Sequence, residues 1–254
     1  GASTLRHESR EPGFEGPGST DESTRRLIAK IDAAATSRLT LQGFITRDAS
    51  NLIGLRLSQY TAGAAASPDL FTRTRAWNAR ASATLSAATV WELRTSGHAG
   101  TSDHEPHPPA TRLGPLSQQD WATGIACCNS FWREESRSSL VLAGAVTHHR
   151  DGPGGRHDVR AGIEFERAPV ASASGIPGGR RLYTVNGVLE AYEDWAGDHL
   201  QSKARRMTAY VQDRWQVHQR ITLEPGVRLE VNRGLAGSLG AVLLAFFFNL
   251  LVMG

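Results

Sequence analysis

The chain has 254 residues, enough for one domain of ordinary size, and its 28 Lys+Arg against 25 Asp+Glu leave a formal net charge of +3. So balanced a charge argues against nucleic acid as a partner. The hydrophobic fraction is 40%, with 26 glycines and no long apolar run before the C-terminus; half-apolar strands joined by polar loops fit this, as does a soluble protein of modest hydrophobicity.

Residues 1–23 are polar and rich in Gly, Pro and Glu, and read as loop or disorder. Hairpins follow. Thr24–Asp32 alternates Leu27, Ala29 and Ile31 with Ile28, Lys30 and Asp32, and a turn at Ala34–Ser37 leads to Arg38–Arg47. After a loop from Asp48 to Leu70, a second hairpin pairs Phe71–Ser86 with Thr89–Gly97. A loop from Gly97 to Arg133 precedes a third, Ser136–His149 with Arg156–Ala168 across Asp151-Gly152-Pro153-Gly154-Gly155, whose Gly and Pro supply the dihedrals of a reversal. The loop from Pro169 to Lys203 carries a small hairpin pattern over Arg181–Tyr192 around Asn186-Gly187.

The fourth hairpin, Ala204–Arg233, has the clearest pattern. Met207, Ala209, Val211, Trp215 and Val217 oppose Thr208, Tyr210, Gln212, Arg214 and Gln216, with Asp213 breaking the oily face. After a turn around His218–Gln219, Ile221, Leu223, Val227, Leu229 and Val231 oppose Thr222, Glu224, Arg228, Glu230 and Asn232. Side chains alternate sides along a strand, so each strand has one oily and one wet face. Each also has roughly the ten residues that a tilted strand needs to cross a bilayer. A soluble antiparallel sheet with one wet face gives the same alternation. The loops discriminate. Links within hairpins are short and links between hairpins long, the layout of a membrane barrel, whereas such long loops are unusual inside compact soluble domains.

Four strings carry a family resemblance. Ala209-Tyr210-Val211-Gln212-Asp213-Arg214-Trp215 followed by Ile221-Thr222-Leu223-Glu224-Pro225-Gly226-Val227-Arg228-Leu229-Glu230 resembles a barrel hairpin of TonB-dependent outer-membrane receptors, in the subgroup with a carboxypeptidase-regulatory-like N-terminal domain. Glu224-Pro225 departs from that pattern, which has a small polar pair there. Ala29-Lys30-Ile31-Asp32 with Leu39-Thr40-Leu41, the strand string Glu92-Leu93-Arg94, and Gly155-Arg156-His157-Asp158-Val159-Arg160-Ala161-Gly162-Ile163-Glu164-Phe165 are similar to further strands of the same receptors. The resemblance covers about Thr24 to Arg233. It implies part of a barrel in the cell outer membrane, outer-membrane lipid as a partner, TonB as a partner of the full-length protein, and energised uptake of a bulky substrate. Two other readings stay open: a small eight-stranded barrel with a structural or adhesive role, and a soluble β domain tethered by a C-terminal membrane helix.

Nothing in the sequence argues for an enzyme, and no catalytic, cofactor-binding or metal residues are assigned. His104 and His107 with Asp103 and Glu105 could ligate a metal, but the stretch reads as a solvated proline-rich loop. His148 and His149 sit at a strand end where neighbours point apart. Cys127-Cys128 reads as an incidental pair, because adjacent Cα atoms are too close for relaxed disulfide geometry. Gly152-Pro153-Gly154-Gly155 lacks a following phosphate-binding lysine and is a turn. Trp77, Trp91, Trp132, Trp215, Tyr210 and Phe71 fall in or near strands, as girdle aromatics do, while Arg80, Arg160, Glu164, Arg228 and Glu230 would line a lumen.

The expected fold is therefore all-β: an antiparallel transmembrane barrel fragment of about four hairpins with long loops, spanning 24–233, after a polar segment 1–23. Such a fragment leaves its sheet open or poorly closed. The chain starts at Gly1 without a signal-peptide pattern, so an exported chain of this kind is a piece of a longer protein. Residues 235–253 are uncharged, oily and non-alternating, and predict a helix over most of Gly240 to Val252 outside the barrel, arising from a frameshift, truncation or fusion, or serving as an anchor.

Overall fold

A computed structural model describes residues 2–9, 20–55, 64–152, 154–234 and 242–252. Its strands are β1 (Ala2–Ser9), β2 (Thr20–Thr36), β3 (Leu39–Ile53), β4 (Pro68–Ser86), β5 (Thr89–Pro106), β6 (Ser117–Asp120), β7 (Ala126–Cys127), β8 (Trp132–Gly152), β9 (Gly155–Gly175), β10 (Arg180–Val185), β11 (Val188–Asp194), β12 (Asp198–His218), β13 (Ile221–Arg233) and β14 (Val242–Val252). Ten of them form one sheet in the order β1-β2-β3-β4-β5-β8-β9-β12-β13-β14, and every pairing in it is antiparallel. Among the described residues no pairing joins β1 to β14, so the sheet is open.

The four expected hairpins are present. The links β2–β3, β4–β5, β8–β9 and β12–β13 are two residues each. The links 54–67, 107–131 and 176–197 lie at the other end of the sheet. Gly155 completes the β8–β9 turn at φ 108°, a conformation L-residues avoid, with the Gln216 carbonyl against its Cα.

Three expectations need correction. Residues 1–23 were expected to be loop, yet Ala2–Ser9 pairs with Thr20–Leu27. A polar strand needs no oily face when a neighbour offers a free edge of N–H and C=O groups. The strands also run well beyond the loop boundaries read from sequence: β5 reaches Pro106 and β12 begins at Asp198. Finally, the expected C-terminal helix is a strand. Val242–Val252 pairs antiparallel with β13, from Val231↔Val242 to Ile221↔Val252. An all-apolar run carries no periodicity to separate helix from strand. The edge of β13 decides, since a helix satisfies only its own backbone, whereas a strand also pairs the N–H and C=O groups along the edge of β13.

A second sheet, ordered β11-β10-β6-β7, is built from the two longest links. Asn186 and Gly187 take φ 51° and 82°, turning β10 into β11 as a two-residue hairpin. Asp120 accepts hydrogen bonds from the backbone N–H of Gly187 (3.1 Å), Ala122 (3.0 Å) and Thr123 (3.1 Å), and from the hydroxyls of Thr184 and Thr123. These bonds, first that of Gly187, hold its pKa below the ordinary carboxylate value. Asn129, 2% exposed, donates to the carbonyls of Thr111 (2.8 Å) and Pro115 (2.7 Å).

Candidate functional site: the two faces of the large sheet

Direct cross-strand partners share a face, so the register sorts the side chains without ambiguity. One row reads Leu41, Ala81, Leu93, Gly144, Ile163, Ala209, Leu229. The next, two residues toward the short turns, reads Leu39, Ala83, Trp91, Val146, Ala161, Val211, Val227. This is the apolar face, and solvent reaches it: Ile163 is 69% exposed, Met207 62%, Val211 53% and Ile45 51%. Prolines aside, the only apolar side chains fully buried among the described residues are Ala110 and Ile176, both in the long links. The accessible surface totals 16201 Å², against about 11,000 Å² for a compact soluble chain of this mass. The oily residues converge on no core. They form one continuous face, with a shallow depression of about 610 Å³ between Trp91, Val146, Ile163, Val211 and Leu229.

The opposite face is polar and electrically closed. Arg80 pairs with Glu92 at 2.9 Å, and Arg160 reaches Glu92 at 3.7 Å while its Nε donates to the Tyr210 hydroxyl at 3.3 Å. Glu164 takes Arg94 at 3.0 Å and Arg206 at 3.6 Å, and Arg206 also meets Glu166 at 2.5 Å. Glu230 holds Arg228 and Asn232, each at 2.9 Å. Arg80, Arg160, Glu164, Arg228 and Glu230, the residues expected to line a lumen, thus share one face, in three separate ion-pair clusters. Each pair is partly exposed and contributes about 0–1 kcal/mol; its larger effect is to fix side-chain directions across β4, β5, β9, β12 and β13. Tyr210 lies flat over Gly162, where an added Cβ would stand 2.6 Å from the phenol.

Of the aromatics expected in girdles, Phe71, Trp77, Trp91, Trp132 and Trp215 lie on the apolar face, and Tyr210 on the polar one. Trp215 stacks on His157 at 5.2 Å and donates from Nε1 to the Gly154 carbonyl at 2.6 Å. Asp213, which breaks the oily face, meets His157 Nδ1 at 2.6 Å. The ladder between β12 and β13 skips Asp213 and Arg214 opposite Glu224 and Pro225, because proline has no N–H to give.

Beyond the apolar band, toward the long links, the apolar face becomes basic. Arg167, Arg205 and Arg233 are consecutive partners in one row. The next rows hold Arg47 with Arg75, then Arg25 and Arg73, with Lys203 beside Arg205 on β12. Sequence alternation did not isolate this belt, because polar residues stand on both faces there; only the register does.

Asp103, His104 and Glu105 are not in a loop but in β5, paired with β4, and His107 follows just beyond it. Burial, then the neighbouring Glu134, raises the pKa of Asp103, Glu105 binds Arg112 and Glu134 binds the same guanidinium at 2.6 Å, while His107 Nδ1 meets Asp69 at 2.8 Å. Among the described residues no group of three acidic, His or Cys side chains is placed to hold a metal. His148 meets Thr89 at 3.0 Å and His149 meets Asp158 at 2.5 Å, on opposite faces. Cys127 and Cys128, expected to be unbonded, form a disulfide. Cys128 adopts φ 78°, a reversal at the end of β7 that swings its sulfur back toward its neighbour's.

No family model and no curated protein matches the chain. Solved structures do. The outer membrane transporter YddB from Escherichia coli superposes with TM-score 0.71 at 10% identity, over 97% of this chain and 32% of that one. BauA, the ferric preacinetobactin receptor from Acinetobacter baumannii, gives 0.61 at 7% identity, over 98% and 40%. FyuA, the ferric yersiniabactin uptake receptor from Yersinia pestis, gives 0.58 at 11%, over 98% and 37%. The chain spans about a third of the length of these proteins, and shares their fold over that part.

Proposed function

We propose that this chain is part of the β-barrel of a TonB-dependent outer-membrane receptor, a transporter component and not an enzyme, with residues 24–233 as barrel wall. The apolar face meets the acyl chains of the outer membrane, the paired-ion face lines the lumen, and the short turns lie on the periplasmic side. The whole receptor takes up a bulky substrate, and the neighbours' names point to metal-chelate uptake. TonB would supply the energy to the full-length protein. The four sequence strings suggest the subgroup with a carboxypeptidase-regulatory-like domain.

One observation carries this reading: an exposed apolar face continuous across the strands and interrupted at Asp213, backed by a face whose cations and anions neutralise each other. Backbone ladders between neighbours satisfy the interior strands, as lipid demands. The tethered-domain reading is separable. Truncation after Gly234 removes the oily tail, and a barrel wall still requires detergent to stay monodisperse. A truncated chain that is monomeric and folded in plain buffer would refute the membrane role.

A further inference from the structure

We propose that the basic belt beyond the apolar band is a binding surface for the phosphate groups of lipid headgroups in the leaflet on the long-link side. The inference rests on the membrane reading above and adds a ligand to it.

Three observations converge. The first is depth. Along β12 the apolar face runs from Trp215 to Arg205, ten residues. At about 3.3 Å per residue and a tilt of about 40°, that rise is about 25 Å, the height of a barrel's lipid-contacting band. Arg167, Arg205 and Lys203 therefore stand where acyl chains give way to headgroups.

The second is charge. On the polar face, Arg80, Arg94, Arg160, Arg206 and Arg228 all have carboxylate partners. On the apolar face, Arg47, Arg73, Arg75, Arg167, Lys203 and Arg205 have no ion-pair partner among the described residues, although they stand beside one another in successive rows. Asp103, in the row beyond Arg73, is the carboxylate that stands near this cluster; cations crowded this way are costly in isolation, and an anion from outside the chain removes that cost.

The third is shape. A groove of about 1180 Å³ is lined by Arg47, Arg73, Arg75 and Lys203 together with the hydroxyl residues Thr101, Ser136 and Ser138. Its one carboxylate, Asp48, is held at 2.5 Å by Arg26. Guanidinium groups that fork onto phosphate oxygens, an ammonium, and hydroxyl donors are the chemistry of phosphate recognition.

The test uses the full chain in dodecyl maltoside micelles doped equally with phosphatidylcholine and phosphatidic acid, with bound lipid counted by native mass spectrometry. Phosphatidic acid is expected in excess. The triple variant Arg47→Gln/Arg75→Gln/Lys203→Gln should lower its retention at least about tenfold, since each juxtamembrane cation contributes about fivefold. The control Arg38→Gln/Arg150→Gln/Arg220→Gln, at the short turns, should leave it unchanged. Equal retention of both lipids, or equal loss in both variants, overturns the proposal. So does displacement by inorganic phosphate at matched ionic strength, which marks a site for free anion. Quenching of tryptophan by brominated acyl chains is read in parallel. Its absence overturns the membrane reading itself; quenching without lipid preference overturns the headgroup proposal alone.

Discussion

Ile163→Arg separates a lipid-facing wall from a soluble sheet. Ile163 is 69% exposed, so in water the change removes little burial and should stay within about 0.5 kcal/mol. In a bilayer the answer depends on depth. Ile163 pairs with Ala209, four residues from Arg205 and six from Trp215 along β12. With the rise and tilt used above, it lies about 10 Å inside one boundary and about 15 Å inside the other. Its neighbours in the row are Gly144 and Ala209, which offer no polar partner. An arginine there should cost about 2–4 kcal/mol, against about 0–1 at a boundary. Ser138→Arg, in the same row as Arg75, is the boundary control. Guanidinium unfolding in dodecyl maltoside, followed by tryptophan emission and strand circular dichroism, reads both. With a slope of about 4 kcal/mol/M, Ile163→Arg should lower the midpoint by about 0.5–1 M and Ser138→Arg by far less. Equal midpoints for the two variants would refute the depth reasoning, and an unchanged Ile163→Arg would refute the lipid-facing assignment.

Gly162→Ala places a methyl against the ring of Tyr210; we expect a loss of about 1–3 kcal/mol and a changed near-ultraviolet spectrum, with Arg160 released from the phenol. Gly155→Ala puts a Cβ at φ 108° against the Gln216 carbonyl and should destabilise by about 1–3 kcal/mol, read as a lower guanidinium midpoint with secondary structure retained below it. Asp120 has a depressed pKa, so its contribution to the small sheet is complete above the ordinary carboxylate value and is lost as pH falls through the lower, folded value. Amide exchange of β10 and β11 should therefore rise on acidification below about pH 4 in the native chain, and should show no such step in Asp120→Asn, which starts loosened.

The sequence patterns reached as far as one face differed from the other. Over Met207–Val217 and Ile221–Val231 alternation is strong, and these strands and their turn are found where expected. It fades toward the long links, because Asp198–Ser202 or Ser102–Pro106 are polar on both sides, and the pairing that continues there is a backbone property. It fails differently at Val242–Val252, where both sides are apolar and the deciding fact is the free edge of β13. Tyr210 shows a third limit. An aromatic in a strand suggests a girdle, but Gly162, forty-eight positions away in sequence, makes room for its ring on the polar face. The basic belt was illegible for a related reason: each cation looks like ordinary surface until the register stacks Arg167 beside Arg205, with no ion-pair partner for either among the described residues.

The neighbour-only order of the large sheet has an evolutionary consequence. Each interior strand pairs with the strands before and after it in the main sheet, so a hairpin can be gained or lost without re-pairing any other segment. A single strand cannot. Its insertion would reverse the direction of everything downstream and move two-residue turns to the side where the long links lie. Barrels built this way should therefore change size in steps of two, with the link between hairpins as the natural point of duplication or excision.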